Sequence, residues 1–174
     1  TDFLPGLNAT LKLTQKANLR LTGSQTIIRP ELRELSALNI YDFELNASVA
    51  GNPSLKRTKI TNLDVRYELY PQAGELFTAG VFYKNFENPI ESIFQEGGSS
   101  LFSFQNAAKA TAFGVEVEGR KKLTSRFTLQ ANGSYINSEV KDEKLGVSRA
   151  LQGQSPYLIN AGLLYDIVEK GFNM

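Results

Sequence analysis

Residues 62–70 read N-L-D-V-R-Y-E-L-Y, in which polar and apolar side chains alternate without a break. Successive side chains of a β-strand point to opposite faces of its sheet, so this period of two predicts a strand with one apolar and one polar face. The apolar face carries Leu63, Val65, Tyr67 and Leu69. A sheet built from such strands separates two environments of different polarity.

The same alternation recurs along the chain. It predicts seven strands, at residues 7–13, 18–28, 60–70, 76–86, 111–122, 126–139 and 156–166. The connections alternate in length, since gaps of 4, 5 and 3 residues join the members of each pair and gaps of 31, 24 and 16 residues separate the pairs. The short gap at 71–75 contains a proline that favours a turn and Gly74, which can adopt a positive φ.

This regular change between short and long connections is typical of one architecture. Connections in soluble domains have a median length of about 4 to 6 residues, and structureless ones above about 15 are uncommon. Outer-membrane β-barrels combine tight turns on one side with long loops on the other, and they cross the bilayer with tilted strands of about 10 residues. The sequence therefore predicts an all-β protein whose antiparallel, up-and-down strands form a segment of a transmembrane β-barrel.

The composition of the two faces favours the same interpretation. The apolar face of the five clearest strands carries no charged residue, and an Arg or Lys there would cost about 2 to 4 kcal/mol at the bilayer midplane. Aromatic residues such as Phe77, Phe113 and Tyr157 lie toward the strand ends, as in the interfacial girdles of barrels.

A soluble antiparallel sheet with one face on a core produces the same alternation. The alternative is thus a soluble β-sandwich that binds glycans or proteins through its loops, and a passive porin or adhesin barrel is the third possibility.

The overall composition argues against several classes of function. The chain has 174 residues, a net charge of +1, and neither histidine nor cysteine. The commonest zinc and haem ligands, the commonest general base, thiol nucleophiles and disulfides are therefore missing, so we expect no metal, no cofactor and no enzymatic activity. A nearly neutral chain is also a poor partner for nucleic acid. The chain opens without an initiator methionine or a signal-peptide pattern, and no closing signal follows its last predicted strand. We therefore expect residues 1–174 to be a single fragment of a barrel domain with two internal termini.

Several short motifs occur in a characteristic order. They are R-P-E-L-R-E-L at 29–35, Y-D-F at 41–43, G-N-P-S-L-K at 51–56, G-V-F-Y-K at 80–84, N-P-I-E at 88–91, G-V-E-V-E at 114–118 and L-Q-G-Q-S-P-Y at 151–157. Together they resemble the later barrel strands of TonB-dependent outer-membrane receptors, especially the large versions from Bacteroidetes-like bacteria. The resemblance covers nearly the whole chain.

The resemblance implies active nutrient uptake across the bacterial outer membrane. Such receptors form a barrel of about 22 strands, of which this chain would supply about seven, in contact with outer-membrane lipid. They bind a scarce nutrient, such as a ferric siderophore, cobalamin, a glycan or a peptide, at their outer loops. The TonB energy-coupling complex then pulls on a plug domain. Neither a plug domain nor a coupling box is recognisable in residues 1–174.

The long connections contain the residues expected to contact a ligand. They combine charge with aromatic rings in segments that a loop can present. These candidates are Arg29, Glu31, Arg33, Glu34, Tyr41, Asp42, Phe94, Gln95, Phe102 and Phe104. A purely structural use is the alternative for each, and residues 29–35 can form one helical turn with Pro30 at its first position.

One pair of carboxylates invites a catalytic interpretation. Glu116 and Glu118 stand two residues apart on a predicted strand, which places them about 7 Å apart on one face, within the range found in inverting glycosidases. Arg120 comes next on the same face, and charged residues are ordinary on the wet side of a barrel wall. We therefore predict a lumenal role for the pair and no catalytic one.

Overall fold

The computed structural model describes residues 2–95, 101–142, 147–167 and 172–173. It contains thirteen strands and one helical turn in this part of the chain. In chain order they are β1 (Gly6–Lys12), β2 (Ala17–Ile28), α1 (Leu32–Leu35), β3 (Asn39–Asp42), β4 (Ala47–Ala50), β5 (Thr58–Leu69), β6 (Leu76–Glu87), β7 (Ile90–Gln95), β8 (Leu101–Asn106), β9 (Lys109–Lys122), β10 (Phe127–Asp142), β11 (Val147–Arg149), β12 (Tyr157–Ile167) and β13 (Phe172–Asn173).

The larger sheet, here called the wall, runs in the order β1-β2-β5-β6-β9-β10-β12-β13, with β11 paired to the end of β10. Every pairing in it is antiparallel. The wall is an open sheet, and its strands meander up and down as the sequence predicts. All seven predicted strands are present with ends shifted by at most a few residues; the segment predicted at 60–70, for example, is Thr58–Leu69. The short β13 is an eighth wall strand that the sequence pattern does not predict.

The two ends of the wall strands differ. At one end, the turn rim, tight turns join β1 to β2, β5 to β6 and β9 to β10. Gly74 lies in the second of these turns with φ of 82°, as its position in the sequence predicts. At the other end, the loop rim, the described parts of residues 29–57, 88–108 and 143–156 form long connections, here called loops 1, 2 and 3.

The apolar face of the wall is not covered by any other described part of the chain. The register places Leu21, Val65, Val81 and Val115 side by side in one row across four strands. These side chains remain 37–41% exposed. The second layer that a soluble β-sandwich requires is therefore missing from the described residues, and this outer face is free to contact lipid.

Loops 1 and 2 together build a second sheet, the loop sheet, in the order β3-β4-β8-β7. Strands β4 and β8 pair in parallel, with Val49 opposite Phe102, and this pairing joins the two loops. The alternation pattern predicts no strand in these connections. Strands of four to six residues are too short for a period of two to stand out, which explains the difference.

The helical turn in loop 1 forms, but its predicted start is wrong. Helix α1 begins at Leu32, and Glu31 is its N-cap with extended backbone. The Glu31 N–H donates to the Glu34 carboxylate over 2.8 Å. Proline lacks an N–H and cannot make this capping bond, so Pro30 precedes the cap and does not occupy the first helical position.

The most deeply buried apolar cluster lies at the loop rim. Ala107, Ala110 and Val140 form it, and Phe86 and Leu151 pack against it from β6 and loop 3. The loops therefore fold against the wall ends. Among the described residues, the one helical segment falls short of the length and apolarity needed to cross a membrane.

Candidate functional site

The charged candidates of loop 1 pair with one another. Arg33 donates to the Asp42 carboxylate over 2.9 Å. Asp42 also accepts the backbone N–H of Glu44 at 3.0 Å and that of Leu45 at 3.2 Å. The N–H of Leu45, followed by Arg33, lowers the pKa of Asp42 below its ordinary value. The Arg33 and Asp42 side chains thus close the β3–β4 hairpin onto α1.

Two other loop 1 candidates have clear structural partners. Arg29 pairs with Asp2 at 3.2 Å, and Asp2 also pairs with Arg57 at the opposite base of the loop. The Tyr41 hydroxyl donates to Asn46 over 2.5 Å. The Tyr41 ring meets the ring of Phe43 edge-on at 5.0 Å. Arg29 therefore stabilises the base of the loop, whereas Tyr41 remains about half exposed near the loop tip.

The aromatic candidates of loop 2 come together. Phe94 and Phe102 face each other across β7 and β8 with ring centroids 5.2 Å apart. Phe104 lies two residues further along β8 and therefore on the same face as Phe102. Gln95 pairs with Leu101 at the end of the hairpin, but its side chain lies outside the described residues.

The predicted candidates do not form one pocket. The register continues from Phe102 to Val49 and then to Ile40, so these residues share one face of the loop sheet. Tyr41 is one residue further along β3 and lies on the opposite face. The structure thus assembles an aromatic strip of Phe94, Phe102 and Phe104, separate from Tyr41.

The G-N-P-S-L-K motif attaches β4 to α1. A Cβ atom at Gly51 would lie 2.6 Å from the carbonyl oxygen of Arg33 and 2.7 Å from that of Glu34, so only glycine fits. The N–H of Asn52 donates to the Glu34 carbonyl over 2.6 Å. The Asn52 side-chain amide donates to the Phe104 carbonyl of β8 over 3.0 Å. The motif therefore holds three elements of two loops together.

An asparagine at the end of β8 ties loop 2 to the base of loop 1. The Asn106 side-chain oxygen Oδ1 accepts the N–H of Lys56 at 2.7 Å. The Asn106 side-chain nitrogen Nδ2 donates to the Lys56 carbonyl over 2.9 Å and to the Asn88 carbonyl over 2.8 Å. Thr58 donates its hydroxyl to the same Asn88 carbonyl over 2.9 Å. These bonds fix the start of β5 against the start of β7.

Loop 3 attaches to loop 2 through the L-Q-G-Q-S-P-Y motif and its neighbour Arg149. Arg149 pairs with Glu91, whose side chain is only 5% exposed. Ser92 donates its hydroxyl to the Gln152 side chain over 2.7 Å, and the Gln152 amide donates to the Ser92 carbonyl over 3.0 Å. All three loops thus form one connected layer at the loop rim.

The polar face of the wall, its inner face, carries a small charged recess. Arg66 extends past Gly80, which has no side chain, and approaches Glu116 on β9 within 3.7 Å. Glu116 and Glu118 both line this recess of about 230 Å³. Glu116 and Glu118, the carboxylate pair noted in the sequence, therefore lie beside a positive charge on the inner face.

A larger recess of about 690 Å³ lies where the inner face meets the loop rim. Asp64, Phe82, Lys84 and Gln154 are among its lining residues. The Phe82 ring lies against Gly114. A Cβ atom at residue 114 would overlap two atoms of this ring, so the close contact requires glycine. The Lys84 ammonium stands 5.8 Å from the centre of that ring.

The sequence analysis missed the larger recess as a site. The signal available in the sequence was the bulky aromatic residue Phe82, which lies on the polar face of β6 two residues before a lysine. For metals, no group of three or more Asp, Glu, His or Cys side chains within the described ranges is arranged to hold an ion.

Residues 1–173 match the family model of the TonB dependent receptor-like β-barrel, and the chain therefore belongs to this family. The wall is accordingly a segment of an outer-membrane barrel. The resemblance seen in the sequence is confirmed at the level of the family, while a relation to Bacteroidetes-like bacteria stays a prediction. No curated protein matches the chain in sequence.

Several solved structures share the fold. The siderophore receptor PirA from Pseudomonas aeruginosa is 18% identical with a TM-score of 0.75, over 97% of this chain and 31% of that one. A variant of the ferric enterobactin receptor PfeA from Pseudomonas aeruginosa, in complex with enterobactin, is 20% identical with a TM-score of 0.69, over 97% of this chain and 26% of that one. PirA from Acinetobacter baumannii is 17% identical with a TM-score of 0.66, over 97% and 27%. The chain thus spans about a third or less of these receptors.

Proposed function

We propose that the chain is part of a receptor that imports a scarce nutrient by energy-coupled transport. The chain supplies barrel wall and extracellular loops. The observation that carries the proposal is the combination of an apolar outer face, a charged inner face and three loops joined into one layer at a single rim. A passive pore does not require such a layer, whereas a receptor needs a defined surface to select its ligand.

The structural neighbours support one ligand class for the first test. PirA is a siderophore receptor and PfeA a ferric enterobactin receptor, so a ferric siderophore is the first ligand to test, before cobalamin, a glycan or a peptide. We place ligand contacts at the exposed aromatic residues Phe94 and Tyr41 and in the recess beside Phe82. Arg29, Glu31, Glu34 and the Arg33–Asp42 pair have structural partners, which supports a shaping role for them. Receptors of this family are transporters, so we infer no enzymatic role for Glu116 and Glu118.

The remaining parts of the receptor lie outside this chain in the proposal. Within the described residues, the wall has unpaired edges at β1 and along most of β12. In lipid every backbone polar group must be paired. Further strands of the same barrel would supply these partners, and residues 1–174 would be one piece of the barrel domain. A plug domain in the lumen and the TonB complex would complete the transport machinery.

Uptake by the complete receptor tests the proposal. Cells that depend on this receptor should accumulate radiolabelled ferric siderophore, and deletion of TonB should abolish accumulation while surface binding remains. Uptake that continues without TonB would indicate a passive pore. Binding of no ferric siderophore, with TonB-dependent uptake of cobalamin or a glycan, would keep the receptor function and change only its ligand.

A further inference from the structure

Lysines recur where the outer face of the wall reaches the loop rim. The register places four charged residues side by side in one row across β5, β6, β9 and β10, namely Lys59, Glu87, Lys109 and Lys141. Lys109 lies on the outer face because it is an even number of residues from Phe113, and residues in one cross-strand row share a face. Both Lys109 and Lys141 are exposed.

The position of this row along β9 corresponds to a membrane interface. Between Lys109 and Lys121, the outer-face residues of β9 are uncharged. They are Thr111, Phe113, Val115, Val117 and Gly119. At about 3.3 Å per residue the two lysines are about 40 Å apart along the strand, and a strand tilt of about 40° reduces this to about 30 Å along the membrane normal. The hydrocarbon core is about 30 Å thick, so the two lysines lie at opposite headgroup levels.

The row contains a repulsive contact. Lys109 and Lys141 are directly opposite each other in the β9–β10 ladder, and like charges at such positions are destabilising. Neither lysine forms an ion pair with a described carboxylate. Glu87 is opposite both Lys59 and Lys109, and Glu139, on the same face as Lys141, accepts a serine hydroxyl from β11. The excess positive charge is therefore concentrated between β9 and β10.

We propose that Lys109 and Lys141 together bind the phosphate of a phosphorylated lipid headgroup in the outer leaflet, with Lys59 as a peripheral contact. A phosphate between the two ammonium groups replaces their repulsion with charge-assisted hydrogen bonds, and clustered lysines at a membrane interface attract anionic lipids. The site lies in the middle of the wall, where β6 and β12 flank it. Further barrel strands would extend the sheet sideways and a plug would occupy the opposite face, so the bilayer remains the neighbour of this row.

Native mass spectrometry of the complete receptor, released from detergent after titration with diphosphorylated lipid A, tests the proposal. The double variant Lys109→Gln/Lys141→Gln should bind this lipid about tenfold more weakly, because both ammonium partners of the phosphate are lost. Lys121→Gln is the matched control. It removes the same charge from the same face at the turn rim, and it should change the affinity by less than about twofold.

A third variant keeps the test decisive if the double variant fails to fold. Glu87→Gln removes a carboxylate that competes with the phosphate and should strengthen binding by about threefold, a gain that misfolding cannot produce. The proposal is overturned if the fully dephosphorylated lipid binds equally well, if Lys121→Gln loses as much affinity as the double variant, or if Glu87→Gln brings no gain. Displacement of the lipid by inorganic phosphate at equal concentration would identify a site for free anions and would overturn it too. The uptake assay is independent of these outcomes.

Discussion

The wall and the loop sheet obtain their stability in opposite ways. In the wall, backbone ladders of up to fourteen paired residues hold the strands, as between β9 and β10. Most outer side chains of the wall are not covered by other described residues. In the loop sheet, the ladders are two to six pairs long, and side chains such as Asn52, Asn106 and Gln152 bond directly to backbone groups. We therefore expect the stability of the wall to depend on the environment at each of its faces, whereas the stability of the loop sheet depends on individual side-chain contacts.

This difference separates two kinds of sensitivity. We expect a substitution in the wall to act through transfer between lipid and water, so that its effect depends on which face it occupies. A substitution in the loops acts through one hydrogen bond or one close approach, and its effect should stay local. The following variants of the complete receptor test this distinction, in order of decreasing expected effect.

A charge on the outer face should cause the largest loss. Val81→Arg places a guanidinium toward the hydrocarbon and should destabilise the barrel by about 2 to 4 kcal/mol. The measurement is the fraction of receptor that keeps its heat-modifiable mobility in gel electrophoresis. Ser134→Arg is the matched control, because residue 134 lies opposite Glu116 on the inner face and an arginine there meets a carboxylate. Equal losses in both variants would contradict a lipid-facing wall.

Filling the space at Gly51 should detach loop 1 without unfolding the wall. Gly51→Ala forces the backbone carbonyls of α1 away from β4 and should cost about 1 to 3 kcal/mol, the usual range for overpacking. Amide exchange should accelerate within residues 32–56 and stay unchanged in β5 and β6. Gly119→Ala provides the control, since a Cβ atom there meets nothing within 4 Å. Unchanged exchange in loop 1 would show that the close approach to α1 is unimportant.

Removing the bonds of Gln152 should loosen loop 3 more mildly. Gln152→Ala deletes two hydrogen bonds to Ser92, each worth about 0.5 to 1.5 kcal/mol, and leaves the Arg149–Glu91 pair in place. Exchange at residues 90–95 and 147–152 should increase together, because the two segments lose a shared contact. Gln154→Ala is the control, since the Gln154 side chain only lines the recess. Faster exchange in loop 3 alone would mean that the two loops are not coupled.

Acidification should give the smallest effect, confined to the β3–β4 hairpin. The pKa of Asp42 is lowered in the folded loop, so its carboxylate stabilises the hairpin above the ordinary pKa of 3.8. That contribution is lost as the pH falls through the lowered pKa. Exchange of the Leu45 and Glu44 amides should therefore accelerate below about pH 4, and Asp42→Asn should remove most of this pH dependence. An identical acid response in the variant would assign the effect to another group.

The wall could be predicted from the sequence because its signal repeats. Residues 62–70 already fix the two faces, and the short gaps fix the pairing of neighbouring strands. The extra strand β13 covers two residues, too few for any alternation. The positions of Arg66 and Glu116 on the inner face also followed from parity, but their contact across Gly80 required the register of three strands.

The contacts between the loops could not be predicted because they join residues 50 to 60 positions apart in the sequence. Nothing near Asn52 in the sequence indicates that it binds the Phe104 carbonyl. Arg33 and Asp42 were expected to face a ligand, since charge in a loop is the visible feature, but each had a partner that only the folded hairpin reveals. The family motifs at 51–56 and 151–157 drew attention to the segments that join the loops, but the motifs did not indicate that these segments form hydrogen bonds between loops.

The connected loop layer has a practical consequence for receptor engineering. Exchanging a single loop with that of another receptor would sever bonds at Asn52, Asn106 or Gln152 and leave the transplanted piece unsupported. Hybrids that carry loops 1 to 3 as one cassette, cut within the strands on the wall side of Ile28 and Tyr157, would keep every one of these attachments. Recombination among such receptors should accordingly favour crossover points inside the strands over points inside the loops.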